Sequence, residues 1–320
     1  MKRNVLIMML MVIVVFAFSL FDCANNNEIV ESTKSETVYE TTVSYEKTTE
    51  SQETEPSIVV ETTEPTKVVT EPTEIEQKSM DITYPIVYSD SSCKITIVKE
   101  WHYNAWCYIA HLEFSDYSRF GSVLAHDRRG AYETTSSVAN RIGAIFCVNG
   151  CYNWGELKDA YAVVRSGVVF RDAGIHEDLC IYNSATGILK NAGQMGLSGR
   201  LASTVVAEGL VTDTFKFWDS TVVKNGQNIA SNGGSRAQRT FIATNGNAGD
   251  IYVIVSEGRY VDGESVGLTL YECANVILEL GCTYGVMLDG GGSSTMVWNG
   301  EVLNSAKNNE RAVVDFVYFK

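Results

Sequence analysis

The sequence predicts an α+β domain, a largely antiparallel sheet with a few packed helices, held behind a disordered stalk. Three observations predict it. Residues 24–79 consist mostly of Thr, Glu, Ser and Val and contain three of the chain's four prolines. From residue 80 to 320 the texture is globular, and short β-branched or alternating runs dominate, separated by turn-forming residues. Helical spacing appears in few segments.

Ahead of the stalk, Lys2 and Arg3 precede residues 5–21, an uncharged run rich in Met, Leu, Ile and Val. This is the layout of an export signal. Its length lies at the short end of the roughly 17–25 residues that span a bilayer. Residues 1–23 are therefore expected to be a cleaved signal, an uncleaved anchor or a lipid attachment site at Cys23, although Asp22 stands where lipoprotein processing favours a small residue. Each option puts the domain outside the cytoplasm, secreted or tethered to the outer face of the membrane. In the stalk, Thr-Glu-Pro-Thr occurs at 63–66 and again at 70–73. So little apolar surface cannot offset chain entropy, and like charges extend the segment.

The net charge of −14 is unevenly placed, because residues 31–80 hold 12 Glu against 4 Lys, a local −8. The domain is only mildly acidic, and no basic footprint for nucleic acid is present. Beyond Cys23 there are cysteines at 93, 107, 147, 151, 180, 273 and 282. An extracellular setting permits disulfides, but the spacing does not define their pairing.

Within the domain, residues 94–99, 107–114, 144–148, 160–165, 168–171, 178–182, 240–244 and 250–256 read as strands. Ser166-Gly167 and residues 245–249 are hairpin connections. Residues 134–142 form a helix with a Thr cap, and 201–209 a weaker one. The best helix covers 269–281: Leu270, Cys273, Ala274, Ile277, Leu278 and Leu280 share a face, Thr269 caps the start and Gly281 the stop.

The most informative chemistry lies in Leu288-Asp-Gly-Gly-Gly-Ser-Ser-Thr295. Three glycines after a buried-looking strand are entropically costly unless backbone shape or a close ligand requires them. Gly290, Gly291 and Gly292 are candidates for an anion-binding concavity, with Ser293, Ser294 and Thr295 adding hydroxyls. Asp289, at the strand end, either serves the chemistry or caps the glycine turn. The Gly-Lys-Ser/Thr ending of a nucleotide P-loop is missing.

Several blocks, in order, resemble the phosphodiester glycosidases. Val148-Asn149-Gly150-Cys151-Tyr152, Arg239-Thr240, Gly258-Arg259, Ser265 to Leu270, the helix after it, Leu288 to Thr295, and Glu310-Arg311-Ala312-Val313 carry the likeness, which spans about 131–320. Three departures stand out: Cys151 where the family has Gly, Glu257 where it has Asp, and Ala243 where it has Gly.

The resemblance implies hydrolysis of the bond between an anomeric carbon and a phosphodiester oxygen. The phosphate is a good leaving group, so the site needs a cationic clamp and a carboxylate more than a strong acid. Asp289 is the expected catalytic carboxylate. Arg239 and Arg311, then Arg259, are the expected phosphate ligands, since guanidinium binds phosphate oxygens bidentately. Asn149 is expected to hydrogen-bond sugar or phosphate, Thr269 to lie among the substrate contacts, and Glu264 or Asp262 to supply a second carboxylate. His176, in a polar loop, is placed at the pocket edge or in solvent. No cofactor is required; calcium or magnesium would suit oxygen ligands around Asp289. The expected substrates are sugar-1-phosphodiesters, such as N-acetylglucosamine-1-phosphodiesters of wall polymers or exopolysaccharide. Two rival readings are a carbohydrate- or wall-binding module without turnover and an ordinary glycosidase.

Overall fold

The computed structural model describes residues 82–151, 161–217 and 221–320. The export segment and stalk expected at 1–79 therefore lie outside the described residues, as does the 152–160 stretch that follows Cys151. The domain is an α+β arrangement of antiparallel sheets with three α-helices among the described residues.

The larger sheet has eight strands, in the order Ile86–Ser89, Cys93–His102, Ala105–Phe114, Asp250–Ser256, Arg239–Thr244, Tyr284–Met287, Thr221–Lys224 and Gln227–Asn228. The second has five: Glu301–Val302, Met296–Trp298, Phe146–Asn149, Asp315–Phe319 and Phe120–Leu124. Strand alternation sends Val253 and Val255 to one face and Ile254 to the other. The first face meets Val148, Val317 and Phe319 of the second sheet in a common core. The opposite face receives helix α3, Leu270–Glu279, through Cys273, Ala274 and Ile277. Helix α1, Thr135–Ile142, covers the outer face of the smaller sheet, with Val138 and Ala139 against Phe316 and Val297. The layers thus run helix, sheet, sheet, helix. Helix α2, Ala202–Ala207, packs on a peripheral cluster with the hairpin Val163–Arg165 and Val168–Arg171 and the strand Cys180–Asn183.

Local signals account for many boundaries. The Thr134 side chain accepts from the Ser137 amide, and Gly143 takes the left-handed conformation at φ 67° that ends α1. Ser166 and Gly167 both have positive φ, as a tight hairpin of this hand requires. Two strands of the smaller sheet are not among those expected from the sequence: Asp315–Phe319, in its interior beside Phe146–Asn149, and Phe120–Leu124, at its edge. Residues 315–319 are buried at every position, so no two-residue alternation marks them as a strand. The seven cysteines from Cys93 onward are buried free thiols, and burial raises the Cys147 and Cys180 pKa values above the usual thiol range. Cys147 belongs to the cluster beneath α1 and Cys151 to the intersheet core, so the two do not pair.

Register decides where the site forms. Arg239 faces Ser256, Phe241 faces Met287, and Asn149 faces Phe316. Strands that end at Asn149, Ser256 and Met287 and strands that begin at Arg239 and Asp315 therefore open toward one end of the double sheet.

Candidate active site

The chain leaves the larger sheet at Met287 and enters the smaller one at Met296, so the loop with the three glycines bridges the two. The bridge is pinned at Asp289, whose amide donates to the Gly150 carbonyl at 2.9 Å. Gly150 in turn donates to the Asp315 carbonyl at 2.8 Å. A Cβ on Gly150 would meet Asp315 Oδ1 at 2.7 Å, which explains the glycine between the two acidic residues.

Asp289 is only 9% exposed. Burial raises its pKa above the ordinary carboxylate range; the Ser293 hydroxyl, the Gly290 amide and the Arg311 charge pull the other way. The Gly290 amide reaches Asp289 Oδ1 at 2.8 Å. So the carboxylate does cap the turn, as one of the two sequence readings held. The cap does not exclude chemistry, because three cations surround the same loop.

Arg239 passes beside Gly290: its Cδ lies 3.7 Å from where a Cβ would sit. The corresponding distances are 3.5 Å from Gly291 to Arg259 Nη1 and 2.8 Å from Gly292 to Arg311 Nη2. Arg259 is held at φ 54°, an uncommon conformation for a side-chain-bearing residue, by its amide bond to the Val266 carbonyl at 3.0 Å. None of the three makes an ion pair among the described residues, whereas Arg119, Arg141, Arg165, Arg200 and Arg236 all do. Arg239 donates instead to the carbonyls of Leu268 at 3.1 Å and Ser235 at 2.7 Å. Burial lowers its pKa, and the neighbouring Arg259 charge adds to that. Arg239 is partly dehydrated while Arg259 and Arg311 are exposed, and with no salt bridge holding them among the described residues the three are placed to favour an external anion.

Other expected contacts take different roles. Gly290 and Gly291 do not offer a ring of open amides: the first donates to Asp289 and the second to the Gln238 carbonyl at 2.9 Å. The anion-attracting groups are the guanidiniums around the loop. Ser293 belongs with them, accepting from Arg311 Nη1 at 3.4 Å. Ser294 and Thr295 turn into the core, and the Thr295 hydroxyl donates to the Ser293 carbonyl at 3.2 Å. Asn149 is fully buried and its side chain is saturated: it donates to the Asp289 carbonyl at 2.7 Å and accepts from the Thr240 hydroxyl at 2.8 Å and the Thr295 amide at 3.1 Å. It braces the loop that carries Asp289, with its side-chain hydrogen-bonding groups already engaged within the protein.

Thr269 is likewise corrected. Its hydroxyl accepts from the Glu272 amide at 3.2 Å and its own amide donates to the Glu272 carboxylate at 2.9 Å, a complete capping box for α3. Glu264 is exposed and accepts from the Trp106 indole, while Asp262 accepts from the Glu264 and Ser265 amides at 3.1 and 2.8 Å. Asp262 organises its own loop, and Glu264 ties that loop to the strand Ala105–Phe114. His176 is half-exposed, 3.4 Å from Lys216 Nζ. Among the described residues no group of three or more His, Cys, Asp or Glu converges on an ion position.

The structure adds two carboxylates that the motifs did not single out as site groups. Glu257 is buried, with its pKa raised by that burial, and receives the Ser305 amide at 2.6 Å. Asp315 is fully buried and paired with Arg165 at 2.5 Å. Burial pushes its pKa up to about 6 against the pull of Arg165, and the Asp289 charge adds to the rise. An Asp opening a strand, two residues after the last motif block, was the available signal, but its partner Arg165 is 150 residues away.

The family model of the phosphodiester glycosidases matches residues 144–320, which include Asn149, Arg239, Asp289, Arg311 and Asp315. This chain belongs to the phosphodiester glycosidase family. No curated protein matches the chain. Among solved structures, the catalytic domain of zebrafish N-acetylglucosamine-1-phosphodiester α-N-acetylglucosaminidase, auto-inhibited by its pro-peptide, is similar with a TM-score of 0.55 and 14% identity, over 73% of this chain and 83% of that one. A hypothetical protein from Synechocystis has a TM-score of 0.50 and 12% identity, over 74% of this chain and 64% of that one. At such identities the likeness is one of fold. Family membership gives this phosphodiester glycosidase a glycosidase-type function, and its arginine-ringed Asp289 loop is the place where that function has suitable groups.

Proposed function

We propose that this phosphodiester glycosidase hydrolyses sugar-1-phosphodiesters outside the cytoplasm, with N-acetylglucosamine-1-phosphodiesters of wall polymers or exopolysaccharide as its natural class. The supporting observation is the set of three arginines, none in an ion pair among the described residues, around the loop that presents Asp289. In the reaction the bond between the anomeric carbon and the phosphate oxygen breaks, and its electron pair leaves on the phosphomonoester. Arg239, Arg259 and Arg311 stabilise that growing charge. Asp289, once ionised, stabilises or attacks the electron-poor anomeric carbon. Water supplies the hydroxyl that completes the free sugar and releases one proton to solvent. The extracytoplasmic location and membrane tether rest on Lys2, Arg3 and the apolar run 5–21.

The test supplies the full chain with a methyl phosphodiester of N-acetylglucosamine 1-phosphate and with the matching aryl N-acetylglucosaminide. Turnover of the first alone, lost in Asp289→Asn and Arg239→Ala, is the expected result. Equal cleavage of the aryl sugar would identify an ordinary glycosidase. Binding without turnover would identify a carbohydrate-binding module.

A further inference from the structure

Arg239 serves two surfaces. Its stem runs along Gly290, and its side chain also forms part of the wall of a cleft of about 560 Å³. That volume is in the range of small-molecule sites, which are mostly apolar with a few orienting polar groups. Here the apolar wall comprises Leu270, Met287, Val222, Phe217 and Ile229. Ile229 is 49% exposed, although it is a large aliphatic side chain. Among the described residues Arg239 is the one cation in the lining, and the anionic member is Asp178.

We infer that this cleft receives a hydrocarbon group of the aglycone, so that the preferred substrates are sugar-1-phosphodiesters of alkyl or lipid alcohols. The inference rests on Arg239 as a phosphate ligand. A phosphate with one ester arm toward Asp289 and a charge held by Arg239 has its other arm beside Arg239, which also lines the cleft. An alkyl chain there gains by leaving water. A second sugar would find Thr221, Ser231 and Asp178 as partners but leave its remaining hydroxyls unsatisfied against Leu270, Met287, Val222 and Ile229, which is costly. A second phosphate would face Asp178 with no further cation among the described lining residues.

The experiment measures binding to the full chain by calorimetry with three probes: methyl phosphate, octyl phosphate and N-acetylglucosamine 1-phosphate. Octyl phosphate is expected to bind at least about tenfold more tightly than methyl phosphate, since several methylenes leave water. That advantage should fall below roughly threefold in Ile229→Asp and persist in Ile229→Val, because only the first places a charge in the apolar wall. Ile229 is exposed enough for both variants to fold, and the second controls for disturbance of the neighbouring strand. Equal affinity for the two alkyl phosphates overturns the inference, as does an advantage that survives Ile229→Asp. Sugar-phosphate binding that exceeds octyl phosphate binding and is lost in Ile229→Asp would place the sugar in the cleft and also overturn it. No probe needs to be hydrolysed. An alkyl preference with no phosphodiester turnover would refute the proposed reaction and leave the cleft assignment standing; turnover with no alkyl preference would do the reverse.

Discussion

The side-chain amide of Asn149 donates to the main-chain carbonyl of Asp289 across 2.7 Å. One residue ends a strand of the smaller sheet and the other follows a strand of the larger, so this bond closes the gap between sheets at the point where the carboxylate is displayed. Asn149→Asp puts an acceptor where a donor is required. It is expected to cost about 1–3 kcal/mol of stability, the range for an unsatisfied buried polar group, and to lower kcat more than it raises KM. Urea unfolding together with steady-state kinetics would check this. A rise in KM alone would restore Asn149 to the substrate contacts.

Gly292 lies beneath Arg311 at a distance that leaves no room for a methyl group. Gly292→Ala should displace the guanidinium and lower kcat/KM by roughly 10- to 100-fold, as loss of one electrostatic stabiliser does. Because both changes would act on one cation, Gly292→Ala with Arg311→Ala should be little worse than Arg311→Ala alone. Additive losses in that cycle would show that Gly292 serves something else.

Asp289 has a pKa raised by burial, so activity that needs its ionised form should climb with pH through that raised value. Arg311 is one of the influences holding the pKa down. Arg311→Gln is therefore expected to move the acid limb of the kcat/KM profile to higher pH. A limb that stays in place, or moves to lower pH, would detach Asp289 from the titration.

Asp315 titrates near pH 6 in the fold, above its usual 3.8. The fold favours its protonated form, so its contribution to stability is complete below the unfolded pKa and is lost as pH rises through about 6. Arg165 opposes the rise. Arg165→Met should leave an unpaired buried carboxylate at neutral pH and destabilise by about 3–5 kcal/mol there, and by less at about pH 4. Denaturant midpoints at the two pH values would reveal the difference; an equal loss at both would exclude the charge explanation.

Thr269→Ala removes the hydroxyl of the capping box and should cost about 0.5–2 kcal/mol. With the helix still formed, kcat/KM should change less than twofold. A large kinetic loss at full stability would return Thr269 to the substrate site.

Features written in neighbouring residues are legible without the fold. Thr134 and Thr269 with their helices, the Ser166-Gly167 turn, and a strand leading into three glycines after Asp289 are all local events, governed by caps, turn dihedrals and the cost of ordering glycine. The family blocks likewise pointed to Arg239, Arg259 and Arg311. Packing of the two sheets sets which side chains point to the Asp289 loop and which turn away from its surface. It buried Asn149, Ser294 and Thr295 behind the loop, gave Thr269 to its helix, and brought Asp315 and Arg165 together from distant strands. Burial and pairing depend on how strands align across two sheets, and in a strand buried on both faces, such as Asp315–Phe319, no periodicity records that alignment.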